Sequence, residues 1–188
     1  LRYEKGLHIA SNVLSKNAFS AIYLIFDFEG HYHKYSDEVI LDLLNIFNNE
    51  TELGKLYINY PMVESYYHLE ALPDNNYNQR LVSLNNFKGS SYKRMVNTTT
   101  CLKKNKITNR DLCYIIMQNY NKAQIITNSK SKDINYLNIL QTQLDLKKEK
   151  HQIYVLSTFP LMVIDYNYEK TMEILKMKLK DNFLEIDS

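Results

Sequence analysis

The sequence of 188 residues has few of the residue types that build common binding sites. Its two cysteines, Cys101 and Cys113, are too far apart for a C-x-x-C motif and too few for a disulfide framework. Its four glycines form neither G-x-G-x-x-G nor G-x-x-x-x-G-K-[ST], which excludes both familiar nucleotide-binding loops. We therefore expect reduced thiols in a cytoplasmic protein, and a site built from other side chains.

Long apolar runs and an imbalance of charge are also absent. No apolar run reaches the roughly 20 residues that cross a bilayer, and the opening LRYEKGLHIA lacks the apolar stretch of a signal peptide. No membrane partner is expected. Lys and Arg number 23 against 21 Asp and Glu, so nucleic-acid binding would need a local basic patch. The missing initiator Met indicates a processed or excised piece.

Hydrophobic patterning predicts alternating helices and strands in the first third of the chain. Apolar residues at helical spacing predict a helix over 3–17, and the continuous run AFSAIYLIFDF predicts a central parallel strand buried on both faces. Ser36 is placed to cap a second helix. KLYINY predicts a second strand, after which Pro61 is suited to the first position of a helix over PMVESYYHLEAL.

The predicted organisation has three parts. Strands alternating with helices over 1–72 indicate parallel βαβ units. Residues 73–105 are polar and turn-rich, which predicts a connecting region. The composition of residues 106–188 predicts a mainly helical part with one late strand, HQIYVLSTF. Pro160 interrupts that strand, so PLMVIDY is predicted to be either a second strand or a buried turn. The predicted fold class is α/β: a parallel sheet with flanking helices, followed by a mostly helical C-terminal part.

Carboxylates follow both predicted strands of the first part. Asp27 and Glu29 form a D-x-E pair, whose side chains share a face if the strand continues, and Glu64 follows the second strand. Parallel strands joined by a crossover end at the same sheet edge, so we expect the three side chains to lie close together. Clustered carboxylates repel one another unless a cation offsets their charge, and such oxygen ligands suit Mg²⁺ or Mn²⁺. The sequence thus predicts a divalent-metal site that activates water for phosphodiester cleavage.

Simpler interpretations of these residues stay open. Acidic residues after a strand also solvate a loop or cap the next helix. His31 and His33 are candidate metal ligands, but they lie in a glycine-containing loop and lack a spaced third partner for zinc.

A basic segment with interleaved aromatic residues, FKGSSYKRMV, follows in the connecting region. Its cations Lys88, Lys93 and Arg94 are candidates for contacts with a nucleic-acid backbone. A solvated charged face is the alternative.

Two segments, YLIFDFEGHY and GKLYINYPMVESYYHL, resemble the Toprim-like nuclease domains of bacterial abortive-infection and phage-defence proteins, of the RloB type and the OLD (overcoming lysogenisation defect) type. In those domains an apolar strand ends in D-x-D, and a later strand leads into NP or YP and then a Glu. Asp27 and Glu29 match the first element, with Glu in place of the second Asp. Tyr60, Pro61 and Glu64 resemble the second. The resemblance implies a Mg²⁺-dependent nuclease in which Asp27, Glu29 and Glu64 are catalytic.

The resemblance has departures, and two rivals remain. Toprim domains also use a Glu after an earlier strand, which this chain does not show, so the sheet would lack its first strand. The near-neutral charge also fits a non-catalytic module that binds a protein or nucleic acid. The ending DFEGH is similar to that of haloacid-dehalogenase phosphatases, with Asp27 as nucleophile. The second Asp and the Thr of that motif are absent, however, and the later paired-Asp motif has only Asp165.

Overall fold

The computed structural model describes residues 20–28, 36–87 and 90–179, and this part of the chain is an α/β fold with a small mixed sheet. The sequence predictions that lie outside the described residues are the helix over 3–17, Glu29, His31, His33 and Lys88.

Six short strands are described: β1 (Tyr23–Asp27), β2 (Asn48–Asn49), β3 (Gly54–Tyr60), β4 (Leu81–Ser83), β5 (Gln152–Tyr154) and β6 (Leu156–Ser157). β1 runs parallel to β3, in register from Tyr23 beside Lys55 to Asp27 beside Asn59. β2 and β6 pair antiparallel with the other edge of β3, and β4 pairs with β5 in a second small sheet. The predicted parallel pair is therefore confirmed, but it belongs to a mixed sheet.

β1 is not the buried central strand that its composition predicts. Among the described strands it pairs with β3 alone, and Ile25 and Phe26 are 48% and 45% exposed. β3 occupies the central position instead, with every residue except Lys55 buried. A continuous apolar run does not distinguish the two positions, because composition does not reveal how many neighbours a strand has.

Six α-helices surround the strands of the described part: α1 (Asp37–Ile46), α2 (Ser91–Thr99), α3 (Asn109–Ile126), α4 (Tyr136–Lys150), α5 (Met162–Tyr166) and α6 (Tyr168–Lys178). Ser36 caps α1 as predicted, since its hydroxyl oxygen accepts the Val39 N–H at 3.4 Å. Thr108 and Asp111 form a reciprocal capping box at the start of α3. None of the helices in the described ranges is long and apolar enough to cross a membrane.

The segment after β3 is a 3₁₀-helix, Val63–Tyr67, and not the predicted α-helix beginning at Pro61. Its backbone bonds span three residues, as in the donation from the Ser65 N–H to the Met62 carbonyl. Three of its residues, Glu64, Ser65 and Tyr67, are buried. The segment PLMVIDY is not a second strand. It begins in a 3₁₀ turn, Phe159–Leu161, in which Pro160 and Leu161 are buried, as the alternative of a buried turn predicts, and it continues as α5.

One hydrophobic core contains residues from all three predicted parts. Leu56 of β3 and Ile139 of α4 belong to the same cluster as Tyr77, Val82 and Tyr92, which come from the polar region of 73–105. That region supplies β4 and α2. The division at 72 and 105 stays a prediction, but its middle part contributes to the core as well as connecting the other two.

Candidate functional site

The C-terminal ends of β1 and β3 place Asp27 beside Asn59. The exposed Asp27 carboxylate accepts a hydrogen bond from the Asn59 amide, with 3.3 Å between Nδ2 and Oδ1. Asn59 is fully buried, and its own Oδ1 accepts the Ser157 hydroxyl proton at 2.5 Å. Because the amide oxygen faces Ser157, the amide nitrogen faces Asp27. The packing thus orients a neutral donor toward the first candidate ligand.

A second buried side-chain amide, that of Asn119, stabilises this arrangement. The Asn119 Oδ1 accepts the backbone N–H of Ser157 at 2.8 Å and the hydroxyl of Tyr77 at 2.7 Å. Asn119 is completely buried on α3. A chain of hydrogen bonds therefore runs from the sheet edge into the core, through residues that the sequence reasoning did not identify. No local motif marks these residues, because they come from distant parts of the chain.

Glu64 lies on the 3₁₀-helix that follows β3, and it is only 6% exposed. The Ser65 hydroxyl next to it donates to the Leu156 carbonyl of β6 at 3.3 Å, which fastens this helix to the sheet. Lys93 Nζ, from α2, lies 3.4 Å from Glu64 Oε1. The Lys93 side chain is 55% exposed, so the carboxylate is buried while its cationic partner is mainly in water.

One of the three basic candidates contacts this carboxylate. Lys93 makes the contact with Glu64, and the guanidinium of the exposed Arg94 donates to the Ser90 hydroxyl at 3.2 Å. Lys88 lies outside the described residues. The structure therefore brings one predicted phosphate-binding cation to a predicted metal ligand.

The predicted three-carboxylate centre is only partly within the described structure. Within residues 20–28, 36–87 and 90–179, no group of three or more His, Cys, Asp or Glu side chains is close enough to hold a metal ion. Since Glu29 lies outside those ranges, this observation covers only Asp27 and Glu64 of the predicted set. Carboxylate oxygens remain the donor chemistry that Mg²⁺ and Mn²⁺ require, and the metal site stays a prediction.

A buried polar network that the sequence reasoning missed lies four residues beyond Glu64. His68 is 4% exposed, and its Nδ1 is 3.1 Å from the Tyr92 hydroxyl oxygen. Its Nε2 is 3.4 Å from Nη1 of Arg80. Burial, reinforced by the positive charge of Arg80, lowers the pKa of His68 to about 4. The imidazole is therefore neutral at physiological pH.

Asp165, the acidic residue of the phosphatase-like alternative, takes part in a different cluster. Its Oδ2 lies 2.7 Å from Lys55 Nζ and accepts the hydroxyl protons of Tyr57 at 2.8 Å and Tyr136 at 2.7 Å. Burial and the Asp165 charge raise the pKa of Tyr57. These contacts join α5 to β3 and α4 and occupy one oxygen of the carboxylate with three donors.

A cavity of about 520 Å³ lies beside the Lys55 end of this cluster. Its wall contains both apolar and polar side chains, among them Leu44, Phe47, Asp133 and Tyr136. Lys55 lines it too, but the ammonium group is already neutralised by Asp165.

Comparisons with known proteins give no match to a protein-family model, to a curated protein or to a solved structure. The Toprim-like resemblance therefore depends on the residues themselves.

Proposed function

We propose that this chain is a Toprim-like, divalent-metal-dependent nuclease domain of a bacterial or phage-defence system. In this proposal Asp27, Glu29 and Glu64 hold Mg²⁺ or Mn²⁺, and Lys88, Lys93 and Arg94 contact the phosphate backbone. The observation that carries the proposal is the parallel, in-register pairing of β1 with β3. It sets Asp27 at the sheet edge from which the Glu64 segment departs, which is where parallel α/β sheets bind their ligands.

The burial of Glu64 supports a cation at this place. A carboxylate loses hydration when it is buried, and an ion pair with a solvent-exposed lysine returns about 1 kcal/mol or less. Lys93 is such a partner, being 55% exposed and 3.4 Å away. A divalent ion offsets the desolvation of a carboxylate more fully than a mobile ammonium does.

The proposed reaction is hydrolysis of a phosphodiester. When bound, the ion would polarise a phosphoryl oxygen and lower the pKa of a coordinated water. The chain's own contribution is to supply acidic ligands and to orient them, as Asn59 does for Asp27. Lys93, which contacts Glu64, and Arg94, the next residue of α2, would hold the substrate's phosphates by charge.

Cleavage assays with the full chain test this function. Labelled single- and double-stranded DNA and RNA would be incubated with Mg²⁺, Mn²⁺ or EDTA. We expect divalent-dependent cleavage that falls about 100-fold or more in Asp27→Asn and Glu64→Gln, because each removes an ionised ligand. Glu52→Gln is the matched control, since Glu52 is an exposed acidic residue in the turn before β3, at the opposite end of that strand.

Two results together would refute the nuclease proposal. These are the absence of divalent-dependent cleavage on every substrate, and Mn²⁺ binding by Asp27→Ala that equals binding by the unchanged chain.

The exposed apolar surface of β1 favours a second candidate function, a non-catalytic module that binds a protein or nucleic acid. Ile25 and Phe26 are about half exposed on opposite faces of this strand, and exposed apolar patches often mark contact surfaces. Calorimetric titration with Mn²⁺ separates the two candidates. A nuclease should show saturable binding that Asp27→Asn and Glu64→Gln abolish, whereas a pure interaction module should show none.

A further inference from the structure

Three side chains from different strands form one row across the sheet. Asp27 of β1 is in register with Asn59 of β3, and Asn59 is in register with Ser157 of β6. Residues that lie opposite one another on adjacent strands project to the same face of a sheet. Asn59 and Ser157 are fully buried, whereas Asp27 is exposed. The row therefore leads from the core to the candidate metal ligand.

The buried end of this row is fixed by a backbone carbonyl. The side-chain Nδ2 of Asn119 donates to the Ile115 carbonyl at 2.8 Å, and a carbonyl oxygen can only accept. The other side-chain atom, Oδ1, is thus identified as the acceptor of the Ser157 backbone N–H at 2.8 Å. Because that bond holds the backbone of Ser157, the Ser157 hydroxyl is presented to Asn59 from a fixed position.

The Ser157 hydroxyl determines the orientation of the Asn59 amide. Its Oγ donates to Asn59 Oδ1 at 2.5 Å, so Nδ2 is the atom that faces Asp27, with 3.3 Å between Nδ2 and Asp27 Oδ1. Without the hydroxyl, Oδ1 would be a buried acceptor that has lost its donor, which is costly enough to displace the amide. The contact with Asp27 is longer than most N–H···O hydrogen bonds, so a small displacement of the amide would break it.

We propose that Ser157 is a positioning residue for Asp27: through the Asn59 amide, it fixes the orientation in which the Asp27 carboxylate meets a divalent ion. Ser157 acts through Asn59 and does not itself contact the ion. This inference rests on the proposed function, because Asp27 is one of its metal ligands. Groups that hold a metal-binding side chain by a hydrogen bond change metal affinity about 10- to 100-fold when they are removed.

A double-mutant cycle tests whether Ser157 acts through Asn59. Mn²⁺ affinity would be measured on the full chain, on Ser157→Ala, on Asn59→Ala and on the double variant. We expect a loss of about tenfold or more in Ser157→Ala. Adding Ser157→Ala to Asn59→Ala should cause no further loss, because the amide through which Ser157 acts is already missing. The matched control is Thr127→Val, which removes a partly buried hydroxyl that donates to the Ala123 carbonyl at 2.7 Å, and it should leave Mn²⁺ affinity unchanged.

NMR on metal-free protein tests the contact between Asn59 and Asp27 directly, and it does not require the buried variants to fold. Asp27 is exposed, so Asp27→Asn should keep the fold. We expect the Asn59 side-chain amide protons to change chemical shift in Asp27→Asn, because a hydrogen bond to an ionised carboxylate is replaced by a weaker one to a neutral amide. Unchanged resonances would show that Asn59 does not donate to Asp27, and the proposal would be wrong.

The metal-binding results separate this inference from the proposed function. If Ser157→Ala causes the same loss of affinity with and without the Asn59 amide, Ser157 has only a general structural role and the inference is wrong while the nuclease proposal stands. The same conclusion follows if Ser157→Ala binds Mn²⁺ as tightly as the unchanged chain. If the unchanged chain binds no Mn²⁺, the proposed function is wrong and the role given to Ser157 falls with it.

Discussion

The hydroxyl of Thr158 replaces a strand partner for Ile58. Its Oγ1 accepts the Ile58 N–H at 2.7 Å and donates to the Ile58 carbonyl at 2.9 Å. Ile58 lies on the edge of β3 between the short stretches that pair with β2 and with β6. Both residues are buried, so one side chain satisfies two backbone groups that the sheet leaves open. The contact thus satisfies the backbone of the residue that precedes Asn59 in β3.

We expect Thr158→Val to be destabilising despite its similar shape. The substitution leaves a buried N–H and a buried carbonyl of Ile58 without their partner, which costs about 2–4 kcal/mol of unfolding free energy. Urea unfolding followed by circular dichroism measures the change. Thr158→Ser keeps the hydroxyl and should lose less than half as much. Equal losses in the two variants would show that the methyl group contributes as much as the hydroxyl, and no loss in Thr158→Val would show that the hydrogen bonds do not stabilise the fold.

Asp165→Asn should destabilise the contact between α5 and β3. Three donors converge on its Oδ2, and the Lys55 side chain that it neutralises is only 19% exposed. Removing the charge leaves a partly buried ammonium group without its carboxylate, at a cost of about 2–3 kcal/mol. Thermal unfolding checks this value. Glu169→Gln removes the carboxylate of the exposed pair with Lys132 and should leave the midpoint unchanged. Similar shifts in both variants would contradict the assigned role of Asp165.

Stability should fall as the pH decreases from about 6.5 to 4, because His68 is neutral in the fold. Its pKa is about 4 in the folded chain against an ordinary value of 6.5, so the unfolded chain binds the extra proton first. Over that interval the imidazole removes about 3 kcal/mol of unfolding free energy, and above pH 6.5 its effect is constant. Urea unfolding across this range should show a shallower decline in His68→Gln than in the unchanged chain. Parallel declines would mean that other groups produce the acid sensitivity.

Lys93→Met should increase the affinity of the proposed site for Mn²⁺. The ammonium group lies 3.4 Å from Glu64 Oε1 and is mainly in solvent, so it competes with a metal ion for that carboxylate at modest strength. Loss of an exposed pair of this kind corresponds to about a two- to fivefold change in binding. Calorimetric titration measures it, and Lys106→Met, at an exposed position, is the control. Weaker binding in Lys93→Met than in Lys106→Met would show that Lys93 assists the site.

Local patterns in the sequence predicted several elements correctly because those elements depend on neighbouring residues. The cap at Ser36 needs only a side-chain oxygen three residues before an N–H. The parallel pairing of β1 with β3 follows from two apolar segments separated by an amphipathic helix. The contact between Lys93 and Glu64 was not predicted from a local pattern, although both residues were candidates for the site.

Other features depended on packing that no local pattern encodes. The helix expected at Pro61 is a 3₁₀-helix in which Glu64, Ser65 and Tyr67 are buried, and the apolar pattern of the segment does not separate these two kinds of helix. The polar segment of 73–105 entered the core through Tyr77 and Tyr92. Polar composition describes the average residue of a segment, whereas burial is decided residue by residue.

By itself, the sequence singled out the candidate site residues, which are the acidic side chains that follow two apolar strands and the basic residues of α2. It also predicted the order of β1, α1 and β3. Only the tertiary structure decided how those residues are supported. Asn59, Ser157 and Asn119 next to Asp27 are brought together from separate elements, and so are Arg80, His68 and Tyr92 in the buried network. Buried groups form hydrogen bonds with the partners that lie close to them in the folded core. That distance is unrelated to separation along the chain.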